Sequence, residues 1–213
     1  MLSVAMLLVF AGCEKDPGSE NDNSNNGGGG ATTGTISGHE YVDLGLPSGL
    51  KWSTCNVGAT TPEDYGNYYA WGETTTKSEY SEENSLTYKR DMDDISCNAT
   101  YDAARANWGG TWRMPTKSEM GELVNNCNWT WTTQNGVNGV RVTGPNGNSI
   151  FLPAAGYCDG SSRYDVGELG CYWSSTPDES DTRDAYFLLF YSGYHGVDWG
   201  YRYYGRMVRP VSD

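Results

Sequence analysis

Residues 170–211, GCYWSSTPDESDTRDAYFLLFYSGYHGVDWGYRYYGRMVRPV, constrain the fold more than any other stretch. Two kinds of residue alternate there. Trp173, Ser174, Ser175, Pro177, Ala185, Tyr186, Leu188, Phe190, Gly193, Trp199, Gly205, Arg206, Val208, Arg209 and Pro210 read as framework. The remainder is Tyr, Asp, Arg, Phe, Leu, His and Gly with no shared size, charge or polarity. In residues 184–191 (DAYFLLFY) the strand period of two sets Tyr186, Leu188 and Phe190 on one face and Phe187, Leu189 and Tyr191 on the other. If the first face is core, the second offers three large groups to solvent or a partner. Tyr-rich, loop-flanked surfaces suit recognition because Tyr supplies contact area at low rotamer cost. A strand buried on both faces has the same pattern, and this run leaves both readings open.

The chain ahead of this stretch is punctuated by turns. Residues 39–44 and 50–56 read as short strands joined by the GLPSG turn at 45–49. Residues 59–73 carry aromatics in a turn-rich context with room for one short helix, and 74–95 read as a polar insertion loop. Thr116-Lys-Ser-Glu119 is a capping box, with Met120, Leu123 and Val124 at helical spacing behind it and Asn125-Asn126 as its end. Strands at 127–133, 139–143 and 148–153 form a meander turned at Asn135-Gly136, Asn138-Gly139 and 145–147. Residues 154–169 read as a loop, and strands at 171–175, 184–191 and 205–210 complete the chain, with His195 in a turn. With 8 Trp, 16 Tyr and 28 Gly, this is the composition of a loop-rich, aromatic-cored β or α+β domain. A net charge of −13 gives no electrostatic footprint for nucleic acid.

The N-terminal segment reads as targeting. Residues 1–12 are apolar and end in Ala11-Gly12 before Cys13, which resembles a bacterial lipoprotein signal with Cys13 as the lipidated residue. The run is too short to span a bilayer as a helix. Glu14-Lys15-Asp16 is similar to the acidic export tag of Bacteroidota surface lipoproteins. Residues 13–35 form a Gly/Asn-rich tether with too little apolar surface to order itself, and the domain runs over 36–213.

Residues 41–52 (YVDLGLPSGLKW), the NWGGTWRMPT run ending at Thr116, LPAAG at 152–156, YWSS at 172–175 and VRPV at 208–211 resemble the Fibrobacter succinogenes major paralogous domain family. The likeness covers about 38–211. It implies a Bacteroidota outer-membrane lipoprotein displayed on the cell surface, with an α+β, C-type-lectin-like fold: short antiparallel sheets, one or two helices and long loops. Trp112-Arg-Met-Pro-Thr-Lys-Ser-Glu119 is similar to a segment of the formylglycine-generating enzyme, which shares that fold. Some members of the family are variable proteins of diversity-generating retroelements, in which adenine-specific mutagenesis rewrites Asn codons near the 3′ end of the gene. A dozen Asn lie between residues 36 and 148 and none follows, and the irregular residues from Tyr164 to Tyr204 are all reachable from Asn codons by that route. Met207 is not reachable and belongs to the framework.

Chemistry by this chain is the weaker expectation. Cys55, Cys97, Cys127, Cys158 and Cys171 have no CxxC spacing, and two histidines, His39 and His195, build neither a triad nor a His-rich metal site. A disulfide between Cys55 and Cys127, or between Cys158 and Cys171, suits an extracellular domain, and the sequence does not choose. No ligand spacing marks a calcium site, and no cofactor is called for. The expectation is a binding protein rather than an enzyme, with protein or glycan ligands on another cell or phage. Its contacts fall in region 157–205 on Tyr164, Arg183, Asp184, Phe187, Leu189, Tyr191, Tyr194, His195, Asp198, Tyr201, Tyr203 and Tyr204. Trp112, Arg113, Arg206 and Arg209 are read as scaffold. A fixed adhesin, or a glycan-binding protein, is the alternative.

Overall fold

A computed structural model describes residues 32–213. Residues 1–31, which include the stretch read as a signal, Cys13 and most of the stretch read as a tether, lie outside the described residues. The elements in chain order are β1 (Thr33–Ile36), β2 (His39–Asp43), β3 (Lys51–Ser53), α1 (Ala103–Trp108), α2 (Lys117–Asn126), β4 (Asn128–Gln134), β5 (Val137–Thr143), β6 (Ser149–Pro153), β7 (Tyr157–Asp159), β8 (Ser162–Tyr164), β9 (Leu169–Pro177), β10 (Asp184–Tyr191), β11 (Tyr194–Tyr201) and β12 (Val211–Ser212). They form four small antiparallel sheets, ordered β1-β2-β3-β12, β11-β10-β9, β4-β5-β6 and β7-β8.

The expected α+β, C-type-lectin-like fold is therefore corrected: among the described residues the chain is mostly β, with two helices of six and ten residues. The physical reason lies in the runs themselves. Segments such as NWTWTTQ in β4 and VNGVRVT in β5 are rich in aromatic and β-branched residues, which pack well on a pleated surface. Residues 59–73 form no helix, and the second helix arises instead at α1, capped by Asp102, whose side chain accepts from Arg105 N. The helix read from the capping box is α2. Thr116 Oγ1 accepts from Glu119 N at 3.2 Å and Glu119 Oε2 accepts from Thr116 N at 2.8 Å.

The meander is β4-β5-β6, turned at Asn135 (φ 48°) and Gly136 (φ 84°), the left-handed pair that a two-residue hairpin requires. Asn138-Gly139 is not a turn but part of β5. The loop expected over 154–169 contains β7 and β8. The strand expected over 205–210 is only a set of isolated bridges, Arg206 to Tyr69 and Met207 to Tyr172 among them. β10 pairs instead with β11, a strand the sequence did not reveal, so His195, expected in a turn, stands in a strand. The two glycines and lack of apolar alternation in YHGVDWGY hide that strand, which owes its form to pairing with β10 along its whole length.

Two buried clusters flank the β11-β10-β9 sheet. Tyr172, Leu188 and Phe190 belong to one, with α2, β5 and β6 residues such as Met120, Val140 and Leu152. Cys171, Trp173, Ala185 and Phe187 belong to the other, with Trp71, Ala103 and Met114. The central strand is thus buried on both faces for most of its length, and only its end, from Tyr191, emerges into solvent. Cys55, Cys127, Cys158 and Cys171 carry free thiols, so neither disulfide raised from the sequence forms. Among the described residues no helix is long and apolar enough to cross a membrane.

Candidate functional site

The β10-β11 hairpin sorts the candidate residues by face. Directly paired residues point the same way, so Tyr191/Tyr194, Leu189/Gly196 and Phe187/Asp198 share one face, and Phe190/His195, Leu188/Val197 and Tyr186/Trp199 share the other. On the first face, Phe187 is buried beneath the Arg206 guanidinium, 3.5 Å from its ring, and Leu189 packs against the second core cluster. Phe187 is therefore a core residue, not a contact. Asp184 is corrected in the same way: it is buried, burial raises its carboxyl pKa, and its carbonyl accepts from Arg202 Nε at 2.9 Å. The apolar period of residues 184–191 could not reveal that the C-terminal segment folds back over this face.

Apart from Arg183, the candidates that remain exposed are aromatic. Tyr164 (46%), Tyr191 (44%), Tyr194 (42%) and Tyr201 (37%) are open to solvent. Tyr88, Tyr201, Tyr203, Tyr204, Tyr157 and Tyr164 form a continuous chain of ring contacts with centroid spacings between 4.7 and 6.2 Å. At the hairpin tip, Tyr191 and Tyr194 stack at 5.1 Å. His195 stacks on Trp129 at 4.6 Å, and its partial burial lowers its pKa. Burial and the neighbouring Glu82 push the Tyr88 hydroxyl up to about 12, and burial raises Tyr203 further. Tyr203 and Tyr204 are half-buried, so they brace the chain of rings rather than crown it. Arg183 is exposed and donates from Nε to both oxygens of Asp181 at 2.9 and 3.0 Å, which draws the Asp181 carboxyl down to about 2. Asp198 is half-buried, its Oδ1 accepting from Trp199 N.

Three further aromatic side chains at this surface were not read as contacts from the sequence. Trp199, assigned there to framework, is 59% exposed on the face away from Tyr194. Tyr88 reaches the surface from the polar loop at 74–95, which is pinned by Arg202 donating to Thr87 O and Arg90 O and by the Tyr80–Gly160 bridge. Trp131 lines a cleft with Tyr191, and the two-residue spacing of Trp129 and Trp131, which sets both on one face of β4, is the signal that would have found it.

The scaffold beneath is dense. Trp112, Arg113, Arg206 and Arg209 are all buried. Arg113 bridges Glu119 and Asp213 at 2.7 and 2.8 Å. Arg206 lies between the Trp173 and Phe187 rings, and burial lowers its pKa to about 10. Gly156 holds the loop after β8 close. A side chain there would place Cβ against Tyr164 O, at a φ of +66°. Gly156→Ala is expected to cost about 2 kcal/mol, read as a lower denaturation midpoint, and to loosen Tyr164 and Asp165 in hydrogen exchange before the β10 core opens.

Among the described residues no group of three His, Cys, Asp or Glu is placed to hold a metal ion. The arrangement offers exposed rings on a braced base with charged groups at its margin, which suits the burial of a ligand surface. The family profile described as the Lcl C-terminal domain matches residues 45–212. No curated protein and no solved structure matches the chain.

Proposed function

The chain belongs to the Lcl C-terminal domain family, a family of surface or ligand-binding proteins, and from that premise we propose that it binds its ligand through the tyrosine-rich face around β10 and β11. The observation that carries this reading is the unbroken run of ring contacts from Tyr88 to Tyr164, within which Tyr164 and Tyr201 are open to solvent. A monomer gains little by exposing such a run, whereas a partner gains rigid contact area at low entropic cost. The chain acts by binding rather than catalysis, as a lipoprotein anchored in the outer membrane through Cys13 and displayed on the cell surface. Its ligand is a protein or glycan on another cell or phage, and the net charge of −13 argues against nucleic acid.

The finer proposal is that this face is diversified, as in the retroelement variable proteins of the Fibrobacter paralogous family. Its support is compositional: the Asn residues stop at 148, and the exposed Tyr164, Tyr191, Tyr194 and Tyr201 lie in the Asn-free stretch that follows. Trp199 and the buried Arg206 and Arg209 then belong to the unvaried frame. Deep sequencing of the 3′ end of the gene and its flanking DNA across a grown population tests this. Substitutions confined to positions such as 164, 191, 194 and 201, beside an adenine-rich near-copy and a reverse transcriptase gene, are the expected result. A uniform 3′ end without a template leaves a fixed adhesin.

A further inference from the structure

We infer that the cleft lined by Trp131 and Tyr191 takes a cationic side chain, arginine or lysine, from a protein partner. This rests on the ligand-binding reading above and names the chemistry of the ligand.

The cleft has a volume of about 410 Å³ and is lined by Trp131, Tyr191 and Leu169 together with the exposed Asp165 and Glu168. That lies at the small end of the ~300–1,000 Å³ typical of ligand sites. Every residue lining it is neutral or acidic. Both carboxylates are exposed, and among the described residues neither has an ion-pair partner or a side-chain hydrogen bond. Two uncompensated carboxylates beside two aromatic faces form a charge-complementary seat for a guanidinium or ammonium. The rings attract the cation through their quadrupoles and the carboxylates accept its N–H groups.

The seat is built in advance of the ligand. Asp165 holds a φ of +56°, and its carbonyl accepts from Glu168 N and Leu169 N at 3.0 and 2.9 Å. Gly167 N donates to Ala154 O and Gly156 N to Leu169 O, both at 2.7 Å, and Asn138 Nδ2 donates to Gly167 O at 3.1 Å. The two carboxylates thus stand on a loop tied to the β6 end, the start of β9 and β5, and little ordering cost is left for binding. The lining holds no cationic side chain to receive an anion, and its two carboxylates favour a ligand that brings positive charge.

The test uses the full chain and a fluorescein-labelled octa-arginine peptide, followed by anisotropy at physiological salt, with an octa-citrulline peptide as its neutral counterpart. Asp165→Asn/Glu168→Gln and, separately, Tyr191→Ala are each expected to weaken octa-arginine binding about tenfold or more. Glu40→Gln/Glu83→Gln, which removes the same charge from exposed sites elsewhere, should stay within about twofold. The citrulline peptide should not bind. Equal weakening by the two double variants would reduce the effect to diffuse attraction by an acidic protein and overturn the inference. So would undiminished binding by Asp165→Asn/Glu168→Gln. A neutral oligosaccharide from a glycan array whose binding depends on Asp165 and Glu168, with no preference for arginine, would make the cleft a glycan site. If the cationic arm fails while array or library ligands still bind through Tyr164 and Tyr201, the ligand-binding reading stands and only this ligand class falls.

Discussion

Replacing Arg209 by alanine is expected to lower the stability of the domain by about 4 kcal/mol, a drop in melting temperature of roughly 8–16 °C. Arg209 is fully enclosed, and its Nη1 and Nη2 donate to Ser53 O at 3.1 Å and Phe151 O at 2.9 Å. One side chain therefore ties the C-terminal segment to the end of β3 and to β6. Alanine leaves both carbonyls without their donor and opens a cavity where the side chain lay. Against this stands the burial of the charge, which lowers the Arg209 pKa, and Arg209 Nε has no hydrogen-bond partner. Arg209→Met separates the two effects, because it fills much of the volume and removes the charge. If the hydrogen bonds outweigh desolvation, Met should lose about half as much as Ala in urea titrations. A Met variant as stable as the parent would mean that the charge is a net cost and that Arg209 serves specificity of packing instead.

The same segment shows why part of the fold was legible and part was not. The capping box at Thr116 and Glu119, the Asn135-Gly136 hairpin and the strand at 184–191 are local signals, satisfied by neighbours in sequence, and each sits where the residues indicate. The segment 205–210 has the apolar content of a strand, yet its backbone partners come from Tyr69, Cys158 and Tyr172, one at a time, and no local pattern encodes three separate bridges. β11 fails for the opposite reason: Gly196 and Gly200 erase its alternation, and only the register with β10 makes it a strand. The overall class was misread because a resemblance carried by short motifs stood in for long-range pairing.

The candidate site divides along the same line. Tyr164, Tyr194 and Tyr201 were legible as surface because their stretches share no apolar period, and they are open to solvent, as is Tyr191 at the end of the period-two run. Phe187 and Asp184 were not, since their burial depends on Arg206 and Arg202 reaching them from the following segment. Tyr88 was hidden in a polar loop whose position is set by hydrogen bonds to Arg202, 112 and 115 residues away in sequence. Trp199 misled for a chemical reason. Tryptophan is so often buried that an exposed one on an edge strand is invisible without its neighbours.

Tyr191→Ala is expected to lower ligand affinity about 30-fold while the melting temperature moves by no more than ~2–3 °C, and Tyr201→Ala to lower affinity by about as much with a larger loss of stability, because its ring meets Tyr88, Tyr203 and Tyr204. The affinity is read on ligands recovered from a glycan array or a displayed peptide library. Tyr191 touches chiefly Tyr194, a single aromatic pair worth about 1 kcal/mol, so its loss costs little in folding. Tyr203 makes the contrast. It is half-buried and meets Tyr88, Tyr201 and Tyr204, so Tyr203→Ala should lose both affinity and stability. Trp199→Ala tests how far the contact extends along β11, because Trp199, like Tyr201, belongs to the face opposite Tyr194. If Trp199→Ala costs as much affinity as Tyr191→Ala, the ligand wraps the free edge of β11. If it costs nothing, contact is confined to the tyrosines. Should Tyr191→Ala and Tyr201→Ala both unfold the domain, their rings are structural and the binding face lies elsewhere.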